Sequence, residues 1–193
     1  MARADRMAGR IIVVVGPSGA GKDSLINHAA ALLCDHKRFA VIRRVITRPS
    51  DSASEIHDTM SPEAFAAMKA EGGFAVSWSA HGLDYGIPAA HRAFVAKGGV
   101  ALCNGSRKAL GDFRAAFTRL TVVNVTARPE ILAARLAARG RESGDQITAR
   151  LARSTMAVRG DFDVVTIDNS DALDIAGNQL VALIRDSLSE NGR

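Results

Sequence analysis

The chain has 193 residues, of which 47% are hydrophobic, so it can bury one substantial core and is not globally disordered. No apolar run approaches the ~20 residues needed to span a bilayer, so no membrane-spanning helix is expected. Lysine and arginine outnumber aspartate and glutamate 25 to 20, a balance that suits a polyanionic partner, either nucleic acid or a small phosphorylated substrate.

The N-terminal "MARADRMAGR" is charged, and the apolar run Ile11–Val15 is too short for a signal peptide. A cytoplasmic protein is expected. Ile11–Val15 reads as a strand buried on both faces. A glycine-rich turn follows, and then a helix over Ser24–Leu33. Phe39–Ile46 reads as a second strand and 47–60 as an exposed loop. "SPEAFAAMKAEGG" carries a full set of helix punctuation: Ser61 as cap, Pro62 at the first position, Glu63 in the first turn and Gly72 as stop.

Phe74–Ala80 has strand character, and "HGLDYGIP" after it reads as a turn-rich return. Ala89–Ala96 reads as a helix, Val100–Asn104 and Leu120–Thr126 as core strands, and Pro129 opens a helix to about Arg139. After "RGRES", helical spacing resumes over Gln146–Val158; Val164–Asp168 is the last strand and Ala172–Leu188 the last helix. Strands alternating with helices predict a parallel α/β sheet. The two cysteines, Cys34 and Cys103, lack partners at metal-ligand spacing and read as small buried hydrophobes.

The segment "GPSGAGKDS" between the first strand and its helix fits a phosphate-binding loop, G-x-x-x-x-G-K-[ST], except at one position. Gly16, Pro17, Ser18, Gly19, Ala20 and Gly21 would wrap phosphates with backbone N–H groups, and Lys22 would reach the β and γ phosphates of ATP. Asp23 stands where a hydroxyl should hold Mg²⁺. Either it binds the ion or it complements the helix dipole, while Ser24 supplies a hydroxyl one place later.

The loop, with "TRP", "SPEAF", "HGLDYG", "RLAARGRES" and "IDN", resembles the guanylate-kinase-like branch of nucleoside monophosphate kinases over nearly the whole chain. The resemblance implies a P-loop NTPase three-layer sandwich with a central parallel sheet. It implies a core of residues 1–47, 89–138 and 154–193, an acceptor-binding insertion at 48–88 and a lid at 139–153. Arg48 and Tyr85 match residues that hold the acceptor phosphate, Arg139 and Arg150 match lid arginines that act on the transferring group, and Asn169 matches an adenine contact.

Guanine-reading carboxylates are missing: Val76 and Asn104 stand where the family carries acids. A site that keeps its phosphate grip and loses its base is similar to that of the ribose 1,5-bisphosphate phosphokinases of phosphonate degradation, which share "GKDSL", "NGSR" and "RGRE". That family moves the γ-phosphoryl of ATP onto a sugar bisphosphate to form 5-phosphoribosyl 1-diphosphate (PRPP). The resemblance makes Asn104, Ser106, Arg107 and His57 candidate substrate contacts, with a small-molecule acceptor and no nucleic-acid or membrane partner, in a monomer or homodimer. Rival readings are a nucleoside monophosphate kinase of altered base choice, a non-catalytic binding module and a basic nucleic-acid-binding domain. With aromatics at 5%, the last lacks a stacking surface.

Overall fold

A computed structural model describes residues 9–48, 57–138 and 158–190, with His57 described by its backbone. Five strands form a wholly parallel sheet in the order β2-β7-β1-β8-β9: β1 (Arg10–Val15), β2 (Phe39–Val41), β7 (Val100–Asn104), β8 (Leu120–Thr126) and β9 (Asp163–Asp168). β1 is central, and Ile11 through Val15 have no exposed surface. Its alternate side chains enter two cores. Ile12 and Val14 pack with Leu25, Leu180 and Ile184 on one face; Ile11, Val13 and Val15 pack with Phe113 and Val122 on the other. A continuous β-branched run is what a strand covered on both sides requires.

Helices α1 (Lys22–Leu33) and α6 (Leu173–Glu190) cover the first face, and α4 (Leu110–Ala116) lies on the second. The other helices described are α2 (Pro62–Ala70), α3 (Ala90–Ala96) and α5 (Pro129–Ala138). α2 begins as its sequence dictates: the Ser61 hydroxyl accepts from the Ala64 N–H, and Gly72 ends the segment at φ 73°.

A second sheet has the order β4-β3-β6-β5, from β3 (Arg44–Ile46), β4 (His57–Thr59), β5 (Phe74–Ala80) and β6 (Leu83–Pro88). Its Ala75, Val76 and Ile87 join the core beneath β1 and β7. Four expectations need correction here. The strand expected over Phe39–Ile46 is two strands in two sheets, parted at Ile42–Arg43, because β2 pairs with β7 whereas β3 pairs with β4 and β6. "HGLDYGIP" is mostly strand β6, folded back on β5 through a turn in which His81 (φ 54°) and Gly82 (φ 74°) both take left-handed backbone. The loop expected at 47–60 contains β4, recruited by pairing with β3. Cys103 is buried in β7, but Cys34 just past α1 is exposed. Burial pushes the Cys103 thiol up to about 12, so it acts as a hydrophobe. Among the described residues no helix is long and apolar enough to cross a membrane.

Candidate active site

The loops after β1 and β7 open into one cleft of about 370 Å³ at the C-terminal edge of the parallel sheet, the usual ligand position in such sheets. The phosphate loop forms one wall. Gly21 caps α1 at φ 86° with no side-chain cap, so the first-turn N–H groups face the cleft as an anion receptor. A Cβ on Gly16 would lie 2.3 Å from the Val125 carbonyl oxygen, so only glycine lets the loop pass β8 this closely. Lys22 bends back over the loop, its Nζ donating to the carbonyls of Gly16 (3.0 Å) and Pro17 (2.9 Å).

The loop is braced from behind. Asn169, 2% exposed, donates through Nδ2 to the Ala20 carbonyl at 2.8 Å, and a Cβ on Gly21 would collide with that Nδ2 at 2.3 Å. Asn169 thus sits under the loop, while its Oδ1 has no hydrogen-bond partner among the described residues. Leu132 and Leu136 of α5 pack near Gly19, and Arg135 Nη1 reaches the Gly19 carbonyl at 3.5 Å. Beside Asn169, Asp168 takes hydrogen bonds from the side chain and N–H of Ser170. The first of these chiefly holds its carboxyl below the ordinary value of 3.8.

Asp23 answers the irregularity in the loop motif. Asn104 Nδ2 donates to Asp23 Oδ1 at 2.6 Å, tying α1 to the end of β7. A carboxylate only accepts, so this contact fixes which way the Asn104 amide points. Asn104 Oδ1 is left buried with no partner among the described residues. Ser24 is exposed beside Asp23 and lines the cleft. The hydroxyl and the remaining carboxylate oxygen are hard donors that fit Mg²⁺ shared with nucleotide phosphates. Among the described residues no group of three or more His, Cys, Asp or Glu side chains is arranged to hold an ion without such phosphates.

The opposite wall comes from the second sheet and the turn after β7. Arg44, Arg48, Trp78, His81, Tyr85, Ser106 and Arg107 all line it. Trp78 and Tyr85 stack at 5.4 Å and 6°, and the Arg44 guanidinium lies 5.5 Å from the Tyr85 ring centre. Arg107 Nη2 donates to Asn124 Oδ1 at 3.3 Å, and burial disfavours its charge. An anionic ligand would offset that cost. Lys22, Arg44, Arg48 and Arg107 thus face a cleft whose single acidic lining residue, among those described, is the engaged Asp23.

No family model matches the chain. Among curated proteins it is 53% identical over 177 residues to "Ribose 1,5-bisphosphate phosphokinase PhnN" of Agrobacterium fabrum, covering 92% of this chain and 97% of the relative. The relative of the same name in Rhizobium etli is 50% identical over 182 residues, covering 94% and 92%. The chain belongs to the ribose 1,5-bisphosphate phosphokinase family. It is a kinase, and its fold agrees: guanylate kinase of Anaplasma phagocytophilum superposes with a TM-score of 0.66 at 16% identity, over 94% of this chain and 87% of that one.

Of the residues singled out from sequence, the phosphate loop (apart from Ala20), Asp23, Ser24, Arg48, Tyr85, Asn104, Ser106 and Arg107 converge on the cleft. Ala20 is buried, and its N–H donates to the Pro17 carbonyl at 3.3 Å within the loop. Asn169 stands behind the loop, and the backbone of His57 pairs with Arg44 in the second sheet. Arg139 and Arg150 lie outside the described residues, as do the rest of the expected lid and residues 49–56 of the expected insertion. The sequence reading missed Arg44 as a site residue, although its period-two spacing with Ile46 and Arg48 was there to find.

Proposed function

We propose that this kinase transfers the γ-phosphoryl group of ATP, as its Mg²⁺ complex, to the 1-phosphate of ribose 1,5-bisphosphate, giving 5-phosphoribosyl 1-diphosphate and ADP. The reading is supported above all by the cleft itself. A phosphate loop faces a wall of arginines, and among the described residues the only acidic lining residue is Asp23, which is tied to Asn104. The names of its relatives, at about half identity, point the same way.

An oxygen of the acceptor 1-phosphate attacks the γ-phosphorus, and the bond from that phosphorus to the β–γ bridging oxygen breaks. The attacking oxygen is already anionic, so no general base or enzyme nucleophile is needed. Positioning and charge neutralisation carry the catalysis. Lys22 and the N–H groups of the loop hold the donor phosphates, and Ser24 and Asp23 would hold Mg²⁺, which would supply charge neutralisation there. Arg48 and Tyr85 hold the acceptor 1-phosphate. Asn104, Ser106 and Arg107 serve the sugar or its second phosphate, with His57 a further candidate contact. Arg139 and Arg150 close on the transferring group and exclude water. Asn169 serves the donor side, here through the loop it braces. The enzyme acts in the cytoplasm, in phosphonate degradation.

The test is a coupled ADP-release assay with Mg·ATP, offering ribose 1,5-bisphosphate, GMP, AMP and UMP, with products identified by ³¹P NMR. Turnover of the sugar bisphosphate with a new diphosphate resonance is expected. Preference for GMP would overturn the reading.

A further inference from the structure

The acceptor in that reading carries two phosphates, and the inference here, which rests on that reading, concerns how both are held. Arg44, Ile46 and Arg48 line the cleft, whereas Val45 between them is buried against Phe65 and Phe74. The neighbouring Arg43 is turned to the surface, where it pairs with Asp58 at 3.0 Å. Alternation along β3 therefore places two arginines, four residues apart, on the cleft side of a single chain segment. At about 3.3 Å of rise per residue, their Cα atoms stand at most about 13 Å apart. Two arginine side chains can close that gap onto the two ends of one sugar bisphosphate.

Arg44 is also built in. Its guanidinium lies over Tyr85, Tyr85 stacks on Trp78, and Trp78 rests against the fully buried Phe113 at 5.9 Å. Stacking engages the face of a guanidinium and phosphate is recognised by its edge, so one side chain can serve both contacts. A platform reaching into the core holds the charge at a set height above the cleft floor.

We propose that Arg44 and Arg48 form a two-point grip for a sugar bisphosphate: Arg48 holds the phosphate that is phosphorylated, and Arg44, set on Tyr85 and Trp78, holds the distal one. A monophosphate satisfies one point alone. The grip therefore selects bisphosphates without reading a base, and leaves Arg107, tied to Asn124, to the sugar.

Trp78 is the single tryptophan of the chain, so its emission reports on this site directly. The experiment is a titration of Trp78 fluorescence with ribose 1,5-bisphosphate and with ribose 1-phosphate, in the wild type, Arg44→Gln and Arg44→Lys. Arg44→Gln is expected to weaken the bisphosphate by about 10- to 100-fold, the worth of a charge-assisted bidentate contact. It leaves the affinity for ribose 1-phosphate and the KM for ATP within about twofold. Arg44→Lys keeps the charge without the planar fork and falls between. Far-UV circular dichroism and melting temperature verify folding; if Arg44→Gln does not fold, the affinity ratio in Arg44→Lys decides.

Equal loss for both sugars, or no loss, overturns the grip. Tight, Arg44-dependent binding of the bisphosphate without phosphoryl transfer supports the grip and removes the proposed reaction. Turnover with an unchanged affinity ratio removes the grip alone. Tighter wild-type binding of GMP than of the bisphosphate removes both.

Discussion

The carboxylate of Asp23, in the first turn of α1, accepts a hydrogen bond of 2.6 Å from the amide of Asn104 at the end of β7. It fastens the helix that follows the phosphate loop to the strand whose end opens into the same cleft. The residue that breaks the loop consensus is thus paired with the residue that stands in place of a guanine-reading acid. Asp23→Thr restores the consensus hydroxyl but strips Asn104 of its partner, so it is expected to lower kcat/KM for the acceptor. A double-mutant cycle with Asn104→Leu should show a coupling of about 1–3 kcal/mol, as for a hydrogen bond to a charged group. Additive effects would show that the two residues act independently.

Lys22 and Arg48 lie in one cleft but belong to different walls. Lys22→Ala is expected to cut kcat by about 10²-fold or more, the scale of losing one preorganised charge at a transferring group. Arg48→Ala should raise the KM for the acceptor well above its effect on ATP. Steady-state kinetics with each substrate varied separately decides this, and equal effects of Arg48→Ala on both substrates would remove it from the acceptor site.

Val76 occupies the position where the guanylate-kinase-like pattern carries a carboxylate, yet it is 3% exposed and packed in the core with Phe113 and Ile87. Val76→Glu therefore introduces an acid into an apolar interior. The expected result is a stability loss of more than about 3 kcal/mol in denaturant melts and no GMP kinase activity. A stable variant that phosphorylates GMP would show that the strand can turn this side chain into the cleft.

Asp168 supplies a pH dependence whose sign is fixed. Its carboxyl is held below the ordinary value of 3.8, first by the Ser170 side chain and, among smaller causes, by the Ser170 N–H and Arg128. The stability this contributes is complete above the ordinary value and is lost as pH falls through the lowered one. Because Asp168 precedes the Asn169 that braces the loop, Ser170→Ala should raise the Asp168 pKa, seen by carboxyl NMR titration. It should also move the acid limb of the melting-temperature profile to higher pH. An unchanged Asp168 titration would assign the shift to another group.

The central strands were legible because strands covered on both faces must be continuous apolar runs, and Val100–Asn104 and Leu120–Thr126 have the bounds read from sequence. The phosphate loop was legible because its chemistry is local, a nine-residue motif running from the end of a strand into the first turn of a helix. The break at Ile42–Arg43 was not, since hydrophobicity continues through it and periodicity does not say which sheet a strand joins. β6 was hidden because Gly86 and Pro88 look like turn formers. Asp23–Asn104 and Trp78–Tyr85 are tertiary facts: the first spans the chain from loop to β7, and the second requires a hairpin whose turn rests on left-handed backbone at His81.

The chain passes from the core sheet to the second sheet between Val41 and Arg44, and both sheets contribute residues to one cleft. On the proposed reading, the phosphoryl donor is engaged by the loop that follows β1. Arg44, Trp78 and Tyr85, by contrast, are all carried by β3, β5 and β6. On the proposed reading, evolution or an engineer could reshape much of the acceptor grip by rewriting these three short strands, leaving the loop after β1 untouched and only Asn104, Ser106 and Arg107 to be retuned at the end of β7. One phosphate-transfer chassis can thereby acquire new clients without relearning its chemistry.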